Sequence, residues 1–377
     1  MLRECDPEEV GLSKAKLVRA ELVAEKYVGS AYPGYDLLVL KDGCVVLRRA
    51  SGFAEVVPSR RPLGADYLFD VASVTKSLVT SVLYAKLVEE GLLSLRQKVV
   101  DLAPDFRLTA AGPNQAKEKV ELWMLLSHTS GLPAWLPFYK TCRSRDEVFA
   151  EALKSFPAYE PGTDVVYSDI NYIVLTYIAE KVSGERIDKL FEKLVASPLK
   201  LTRTSFNPLK SGFSKSEIAA TEVVDWRGGT IVGEVHDENA FAMGGVSGHA
   251  GLFTTVLDAA KIVSELISSY RGDSDVLISP ATSSTLMRAW ACSSVCYGLG
   301  WQVYGPDRLP GTLVDYRHSI MFGHTGFTGT SILMSPQDSL AVIFFTNRVH
   351  PTRANDAIRL VRPLIHNVVL ASIKRRC

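Results

Sequence analysis

The sequence predicts an α/β (α+β) protein in which helices flank an antiparallel sheet and an all-helical subdomain is inserted. β-rich runs lie near both ends of the chain, and the stretch between them reads as helices and loops. One sheet built from both ends, with the helical part inserted between them, accommodates that distribution. We therefore expect residues 1–95 and 240–377 to form the α/β sheet domain and residues 96–239 to form the inserted, mainly helical domain.

The N-terminal part of the chain predicts a helix followed by a β-hairpin. The helix ends at about Tyr27. The β-rich runs Asp36–Lys41 and Cys44–Arg48 then flank Asp42-Gly43, which is one of the strongest short signals for a hairpin turn. These two runs should therefore be neighbouring strands of the sheet.

The helix that follows is predicted to begin at Asp70 or Ala72 and to end before Gly91. Apolar residues cover most of its circumference, and a helix that is apolar nearly all round is a buried one. Ser73 therefore lies at the N-terminal end of a central helix, where backbone N–H groups lack partners within the helix.

The remaining elements are predicted from hydrophobic periodicity and turn residues. Four helices fill the middle of the chain: Val120–Leu126, Arg145–Phe156, Asn171–Val182 and Arg186–Ala196. Beyond them, Thr254 or Thr255 caps a helix that runs to about Ser269, and a last helix runs from Arg353 to about Ser372. Three strands lie between those two helices: Gly298–Tyr304, Thr330–Met334 and Leu340–Thr346.

Charge and hydropathy exclude several classes of function. The 377 residues contain 42 basic and 41 acidic side chains, a net charge of +1, without a long run of like charge. We therefore expect no nucleic-acid partner and no membrane partner. No run of about 18 apolar residues appears, and the N-terminus does not resemble a secretion signal, so we expect a cytoplasmic protein.

The cysteines are scattered in a spacing that fits no zinc site: Cys5, Cys44, Cys142, Cys292, Cys296 and Cys377. Cys292 and Cys296 could pair with each other. For most of the six we expect free thiols in a reducing cytosol, an expectation that a thermophilic source would weaken.

Ser73 and Lys76 carry the first chemical signal. A serine and a lysine three residues apart on a helix share a face and can touch. A hydroxyl is a poor nucleophile until a base takes its proton, and a lysine can be that base once its pKa falls well below about 10.4. Ser73 is therefore predicted to be the nucleophile and Lys76 a base. The plain alternative is a capping serine beside a surface lysine.

Two later motifs could complete such a site. Tyr167 lies between a loop and a helix, and an ammonium near its phenol would lower the phenol pKa and let the two groups share a proton. His324-Thr325-Gly326 precedes a β-hairpin, where Gly326 would let a substrate backbone approach the strand. A half-buried tyrosine and a structural histidine are the plain alternatives.

Histidines and carboxylates also cluster in glycine-rich loops. His236-Asp237-Glu238 and His249 include types of residue that bind metals, but no two histidines have the helical spacing of a metal site. We predict that these residues, like His128, anchor their loops by hydrogen bonds. The expected protein holds no metal and requires no organic cofactor.

Taken in this order, Ser73-x-x-Lys76, Tyr167-Ser168-Asp169 and His324-Thr325-Gly326 resemble the motifs of the serine β-lactamase and penicillin-binding-protein superfamily. The likeness is closest to the class C-type branch, which includes class C β-lactamases, DD-peptidases and β-lactamase-fold carboxylesterases, and it runs over nearly the whole chain. It implies a β-lactamase/transpeptidase-like fold. It also implies a serine hydrolase that acts on esters, amides or β-lactams through an acyl-enzyme.

The resemblance assigns roles to individual residues. Ser73, Lys76 and Tyr167 would be catalytic, and either Lys76 or Tyr167 could be the primary base. The substrate, a small-molecule or peptide-like acyl compound, would contact Asp169, His324, Thr325, Gly326 and Phe327. Its oxyanion would lie between the backbone N–H groups of Ser73 and Phe327. The oligomeric state is left open.

Two positions depart from that branch. Asp169 replaces the asparagine of a Tyr-x-Asn motif, and a carboxylate cannot donate an amide N–H to a substrate carbonyl. His324 replaces the lysine of β-lactamases, which removes a fixed positive charge and weakens the case for efficient β-lactam hydrolysis. A rival alignment begins a Ser-Asp-Asn motif at Ser168, but its extra residue would rotate Asn171 away from the site. The alternative function is a penicillin-binding or sensor-like protein that acylates without turnover, or a non-catalytic scaffold.

Overall fold

A ten-stranded sheet runs through the part of the chain that the computed structural model describes, residues 2–307, 312–316 and 318–374. Its strands lie side by side in the order β1-β3-β2-β10-β9-β8-β7-β6-β5, and β4 also pairs with β3. The β1–β3 pair is parallel and the others are antiparallel, as predicted. The strands are β1 (Arg3–Glu4), β2 (Gly34–Lys41), β3 (Cys44–Glu55), β4 (Arg61–Pro62), β5 (Ala291–Cys292), β6 (Cys296–Tyr297), β7 (Gln302–Tyr304), β8 (Met321–Thr325), β9 (Ser331–Ser335) and β10 (Leu340–Thr346).

The predicted hairpin is confirmed as β2 and β3. Asp42 and Gly43 form its turn with φ values of 50° and 73°, and both residue types tolerate this left-handed backbone. Strand β2 pairs on its other side with β10. Strands from the two ends of the chain therefore meet in the middle of the sheet.

The described chain contains eleven α-helices. They are α1 (Lys14–Lys26), α2 (Val82–Glu89), α3 (Val99–Leu102), α4 (Leu122–Leu126), α5 (Arg145–Lys154), α6 (Asp169–Ser183), α7 (Ile187–Phe191), α8 (Glu238–Ala242), α9 (Val256–Arg271), α10 (Pro280–Met287) and α11 (Ile358–Leu370). Of these, α1, α9 and α11 pack against the main sheet. Strand β2 is apolar on both sides because Leu37 and Val39 pack with α1 and α11, whereas Leu38 and Leu40 pack with α2 and α9.

A smaller sheet connects the segment before Ser73 to the rest of the molecule. Leu252–Thr254 is its central strand and pairs with Phe69–Asp70 on one side and Thr204–Phe206 on the other. Helices α3 to α8 lie in the chain between the two halves of the main sheet. Domain boundaries at residues 95 and 240 stay a prediction.

Several predicted elements have other bounds in the structure. The helix predicted to begin at Asp70 or Ala72 begins at Val74, runs as a π-helix over Lys76–Ser81 and continues as α2. Gly298–Tyr304 is not one strand, because the chain turns at Gly300, whose φ is 92°, and continues as β7. The last helix begins at Ile358 and not at Arg353, since the Arg353 guanidinium is held by Glu222 and Glu238 in a loop.

The prediction of mostly free thiols is also wrong. Cys5 forms a disulfide with Cys44, and Cys292 forms one with Cys296. The first pair meets because β1 runs beside the start of β3, where the Cys5 N–H donates to the Val45 carbonyl at 3.1 Å. Cys142 is a buried free thiol, and Cys377 lies outside the described residues.

Among the described residues, no helix combines the length and the apolar character that a membrane-spanning segment requires.

Candidate active site

Ser73, the predicted nucleophile, follows a tightly held turn. Ala72 has a φ of 46°, a conformation that non-glycine residues adopt only where the surroundings hold it. The buried Asp70 carboxylate provides that hold, because it accepts hydrogen bonds from the N–H of Ala72 at 2.8 Å and from the N–H of His236 at 2.7 Å. Ser73 comes next in the chain and is partly exposed to a cavity.

Lys76 is fully buried beside Ser73, and each of its N–H groups has an oxygen neighbour. Its Nζ lies 3.0 Å from Ser73 Oγ, 3.0 Å from the carbonyl oxygen of His249 and 2.6 Å from Asp169 Oδ1. The approach to Asp169 is poorly aligned for a hydrogen bond, so this contact is an ion pair. The structure therefore brings Ser73 and Lys76 together and adds a carboxylate to them.

Helix α6 positions Asp169. Ser168 caps the helix by accepting a hydrogen bond from the N–H of Asn171, and Asp169 occupies the first turn. The helix dipole favours a negative charge at that place. Asp169 also borders the cavity, so it is close to both the lysine and an entering substrate.

Tyr167 lies against the same two groups. Lys76 Nζ is 5.0 Å from the centre of its ring, and its phenol hydrogen-bonds with Ser73. Burial raises the pKa of the Tyr167 phenol well above 10.0, and the charge of Asp169 raises it further. The expectation of a lowered phenol pKa is wrong, because burial of the phenol, followed by the charge of Asp169, outweighs any effect of the neighbouring ammonium. Tyr167 is therefore a neutral hydroxyl in the free protein.

Asn171 points away from the site. Its Oδ1 accepts a hydrogen bond from Ser130 Oγ at 2.6 Å, and its Nδ2 donates to the Leu125 carbonyl at 3.1 Å. As predicted, the extra residue of the rival Ser-Asp-Asn alignment turns the Asn171 side chain away from Ser73. The geometry favours Tyr167 as the middle element of the site.

Gly326, which follows the last residue of β8, packs directly on the turn that precedes Ser73, at Val71. A Cβ at this position would overlap the Val71 carbonyl oxygen and Thr330 Oγ1. Thr330 Oγ1 donates to that same carbonyl at 3.0 Å, and Thr328 Oγ1 donates to the Asp70 carbonyl at 2.6 Å. Close packing against the turn therefore requires a glycine here, whatever the needs of the substrate.

His324 is buried behind the cavity wall. Because a carbonyl only accepts, its Nδ1 carries the proton and donates to the Thr325 oxygen at 2.9 Å. Burial, and then the charge of Lys76, lowers the pKa of His324 to about 3, so the ring is neutral near pH 7. Its Nε2 has no partner among the described residues. Contact of His324 with a substrate stays a prediction, and a fixed positive charge has to come from other residues.

Two backbone N–H groups of the cavity wall are free. Within the described ranges, neither the N–H of Ser73 nor that of Phe327 has a hydrogen-bond acceptor. Both residues, together with Thr325, line the cavity. The Phe327 peptide is fixed from behind, since Arg348 Nε donates to its carbonyl at 2.7 Å. Free, preorganised donors of this kind can stabilise an oxyanion.

The cavity has a volume of about 670 Å³. Arg348, Arg353, Arg359 and Arg362, which we call the arginine wall, line one part of it. Arg353 is paired with Glu222 and Glu238, but among the described residues the other three have no carboxylate at ion-pair distance. Buried Arg362 donates to the carbonyls of Gly326 and Thr330 at 2.8 and 2.9 Å, and burial lowers its pKa to about 9. The wall supplies the positive charge that His324 lacks.

Four aromatic side chains, which we call the aromatic rim, extend outward from the cavity wall: Trp135, Tyr139, Trp226 and Phe241. Trp135 borders the cavity, and its ring contacts that of Tyr139. Tyr139 and Trp226 stack with ring centres 5.9 Å apart, although Trp226 is 58% exposed. The Arg227 guanidinium lies 3.9 Å from the centre of the Phe241 ring and donates to the Val235 carbonyl at 2.7 Å. The rim is therefore a set of contacting rings that joins the cavity at Trp135.

The histidines of the neighbouring loops form hydrogen bonds, as predicted. His236 Nε2 lies 2.9 Å from Glu222, and His249 Nε2 lies 2.8 Å from Asp237. His128 Nδ1 accepts a bond from the N–H of Ser168 at 3.0 Å. The described residues contain no cluster suited to a metal ion. The contact with Asp237 holds His249 in place, and the backbone carbonyl of His249 accepts a hydrogen bond from Lys76.

Comparison with known proteins identifies the fold family. The family model described as Beta-lactamase matches residues 20–364. This chain belongs to the beta-lactamase family. A Salmonella agona protein named "Putative D-alanyl-D-alanine carboxypeptidase" is 31% identical over 384 residues, covering 95% of this chain and 88% of that protein. A Salmonella typhi protein of the same name matches with the same identity and coverage.

Solved structures of this family share the fold. The octameric penicillin-binding protein homologue from Pyrococcus abyssi is 24% identical with a TM-score of 0.70, over 95% of this chain and 79% of that chain. EstCE1, a hydrolase with promiscuous acyltransferase activity, is 21% identical with a TM-score of 0.71, over 92% and 99%. Simvastatin synthase (LovD) from Aspergillus terreus is 18% identical with a TM-score of 0.76, over 97% and 100%. The β-lactamase family member described here is a serine hydrolase, as the motifs predicted.

Sequence reasoning missed several groups of this site. The Asp169–Lys76 ion pair and the hydrogen bond from the His236 N–H to Asp70 join segments that no local pattern connects. Arg362 had a readable signal, because it interrupts the apolar face that Val361 and Ile365 form on α11. A charged residue on such a face is either buried with partners or functional.

Proposed function

We propose that this serine hydrolase cleaves acyl compounds that carry a carboxylate next to the scissile bond, such as peptides ending in D-alanyl-D-alanine, with Ser73 as the nucleophile. The observation that supports this most directly is the 3.0 Å contact of Ser73 Oγ with Lys76 Nζ on a cavity that the arginine wall also lines. The name of the Salmonella relatives supports the same substrate class.

The proposed reaction has two stages. Ser73 Oγ bonds to the carbonyl carbon, the bond from that carbon to the leaving group breaks, and the hydroxyl proton passes by way of Lys76 to the leaving group. Water then attacks the acyl-enzyme, which releases the acid and restores the Ser73 hydroxyl. The N–H groups of Ser73 and Phe327 would hold the oxyanion, and losing one such donor costs about 2.7–4 kcal/mol in the barrier.

The carboxylate of the substrate would bind at the arginine wall. Arg359 is exposed on the cavity, and Arg362 lies behind the end of β8. A hydrogen bond to a charged group contributes about 1.5–3 kcal/mol, which corresponds to roughly 10- to 150-fold in kcat/KM. We therefore expect a peptide ending in D-alanyl-D-alanine to react at least about 10-fold faster than its C-terminal amide.

The test measures kcat/KM for that acid and that amide. Arg359→Gln should reduce the preference for the acid, whereas Arg60→Gln, which changes an arginine remote from the cavity, should preserve it. Equal rates for acid and amide in the wild-type protein would refute the carboxylate-binding part of the proposal. Nitrocefin and esters of different lengths, run in parallel, would then show which acyl compounds are accepted.

Tyr167→Phe should lower turnover by at least about tenfold, because a neutral phenol that hydrogen-bonds with Ser73 can pass a proton to a leaving group and a phenyl ring cannot. The measurement is kcat with p-nitrophenyl acetate. Tyr27→Phe is the matched control, because Tyr27 lies at the C-terminal end of α1 and does not line the cavity. An unchanged rate in Tyr167→Phe would assign the proton transfer to other groups.

A second possibility is a protein that acylates without turnover. Mass spectrometry with a fluorescent penicillin or a fluorophosphonate distinguishes the cases, because a persistent adduct on Ser73 without hydrolysis indicates a trap and the lack of any adduct indicates a scaffold.

The cytoplasmic location stays a prediction. Disulfides such as Cys5–Cys44 are typical of oxidising compartments and of the cytosol of some thermophiles.

A further inference from the structure

We propose that Asp169 is the terminal proton acceptor of the acylation step and that Lys76 relays the proton to it. This inference rests on the proposed function, since it concerns the same nucleophile. It assigns to Asp169 a role that differs from substrate binding. The contacts of Lys76 Nζ and the states of the neighbouring groups support it.

The surroundings of Lys76 leave it no lone pair for the serine proton. Its Nζ donates hydrogen bonds to Ser73 Oγ and to the His249 carbonyl, and it forms an ion pair with the Asp169 carboxylate, which favours the ammonium form. An ammonium cannot accept a proton until it has given one away. The neighbour able to receive that proton is Asp169, whose Oδ1 lies 2.6 Å from Nζ and has to rotate into line with an N–H bond for the transfer.

The other candidate bases are unsuitable. Tyr167 is a neutral phenol, because burial and Asp169 raise its pKa well above 10.0. His128 Nδ1 is occupied by the N–H of Ser168. His324 is neutral and keeps a free Nε2, but the described structure contains no contact between it and Ser73.

The proposed step conserves protons. The Ser73 hydroxyl proton moves to Nζ while an Nζ proton moves to an Asp169 oxygen, and the Oγ–C bond forms. Lys76 is an ammonium before and after, and Asp169 changes from carboxylate to acid. When the tetrahedral intermediate collapses, the bond to the leaving group breaks and the proton returns through Lys76 to the leaving atom.

The remaining ionisable groups around this pair are His128, Tyr167, Tyr172, Asp237, His249, Tyr297 and His324. Burial raises the pKa of the three tyrosines and lowers that of His128 and His324. The pKa of Asp237 is lowered by His249, to which it is bonded. A comparison of variants at residue 169 leaves all seven groups in place.

The decisive experiment is a pH–rate profile of Asp169→Asn with p-nitrophenyl acetate. Without the carboxylate, Lys76 must itself start as a free amine. We therefore expect kcat/KM at pH 7 to fall by about 10²-fold or more, and to recover by up to about tenfold per pH unit as the pH is raised, because hydroxide then removes the proton that the carboxylate no longer accepts. The wild-type profile should be flat over that interval. Alkaline recovery is an effect that a merely structural role would not produce.

Asp164→Asn, a change of an exposed aspartate nearby, is the matched control and should keep the wild-type profile. Should Asp169→Asn fail to fold, Asp169→Ser removes the same carboxylate and carries the same expectation. A variant at residue 169 whose profile has the wild-type shape, whether slowed or not, would overturn the relay. If Ser73→Ala retained full activity, the proposed function itself would fail, so the two failures are distinguishable.

Discussion

Ser73→Ala should abolish turnover of p-nitrophenyl acetate, with a loss in kcat of at least about 10⁴-fold, because covalent catalysis disappears with its nucleophile. The free N–H groups of the cavity wall remain and account for any residual rate. The fold should be preserved, since within the described part of the chain the Ser73 hydroxyl interacts with the side chains of Lys76 and Tyr167 alone. Steady-state kinetics and a thermal melt measure the two effects.

The control for this variant is Ser284→Ala, which removes an exposed hydroxyl from α10. Its rate should equal that of the wild-type protein. A fluorophosphonate should add once to the wild-type protein, at Ser73, and not to Ser73→Ala. Retention of esterase activity by Ser73→Ala would end the proposal of an acyl-enzyme at this residue.

Lys76→Met should lower kcat by about 10³-fold or more, because it removes the group through which the serine proton leaves. Methionine has a similar length and no charge, so the apolar part of the buried side chain is conserved. Asp169 then loses its cation, and breaking a buried pair in this way destabilises a protein by about 3–5 kcal/mol. The cost should be at the lower end, since the Asp169 side chain is 18% exposed and water can reach it.

Lys86→Met is the matched control, because Lys86 lies on α2, which continues the helix of Lys76, and does not line the cavity. Kinetics with p-nitrophenyl acetate and thermal melting of both variants separate the loss of chemistry from the loss of stability. If Lys76→Met stayed within tenfold of the wild-type rate while folded, the relay would have to run through another group.

Local patterns predicted the parts of this fold that depend on neighbours in the chain. Asp42 and Gly43 form the hairpin turn because their own backbone preferences suffice, and Ser73 and Lys76 meet because one helical turn places them together. The positive φ of Gly300 broke a strand that periodicity alone predicted to be continuous. The motifs and their order were sufficient for the fold family.

Features that depend on distant segments could not be predicted in this way. The Cys5–Cys44 bond follows from the placement of β1 beside β3, and no residue in either strand specifies that neighbour. Likewise, burial and then the charge of Asp169 raise the pKa of the Tyr167 phenol, which Lys76 was expected to lower. A pKa depends on the distances to nearby charges and on burial. The sequence specifies neither of these quantities.

The aromatic rim has a consequence for how such an enzyme can diverge. Its rings belong to short helical turns and loops outside the ten-stranded sheet, whereas Asp70, Gly326 and Thr330 hold the turn before Ser73 against the connection between β8 and β9, two inner strands of that sheet. Substitutions that accumulate around Trp135 or Trp226 over generations can therefore change which compounds enter, while the reacting atoms keep their places. In this architecture, substitutions can change the substrate preference and leave the catalytic groups intact.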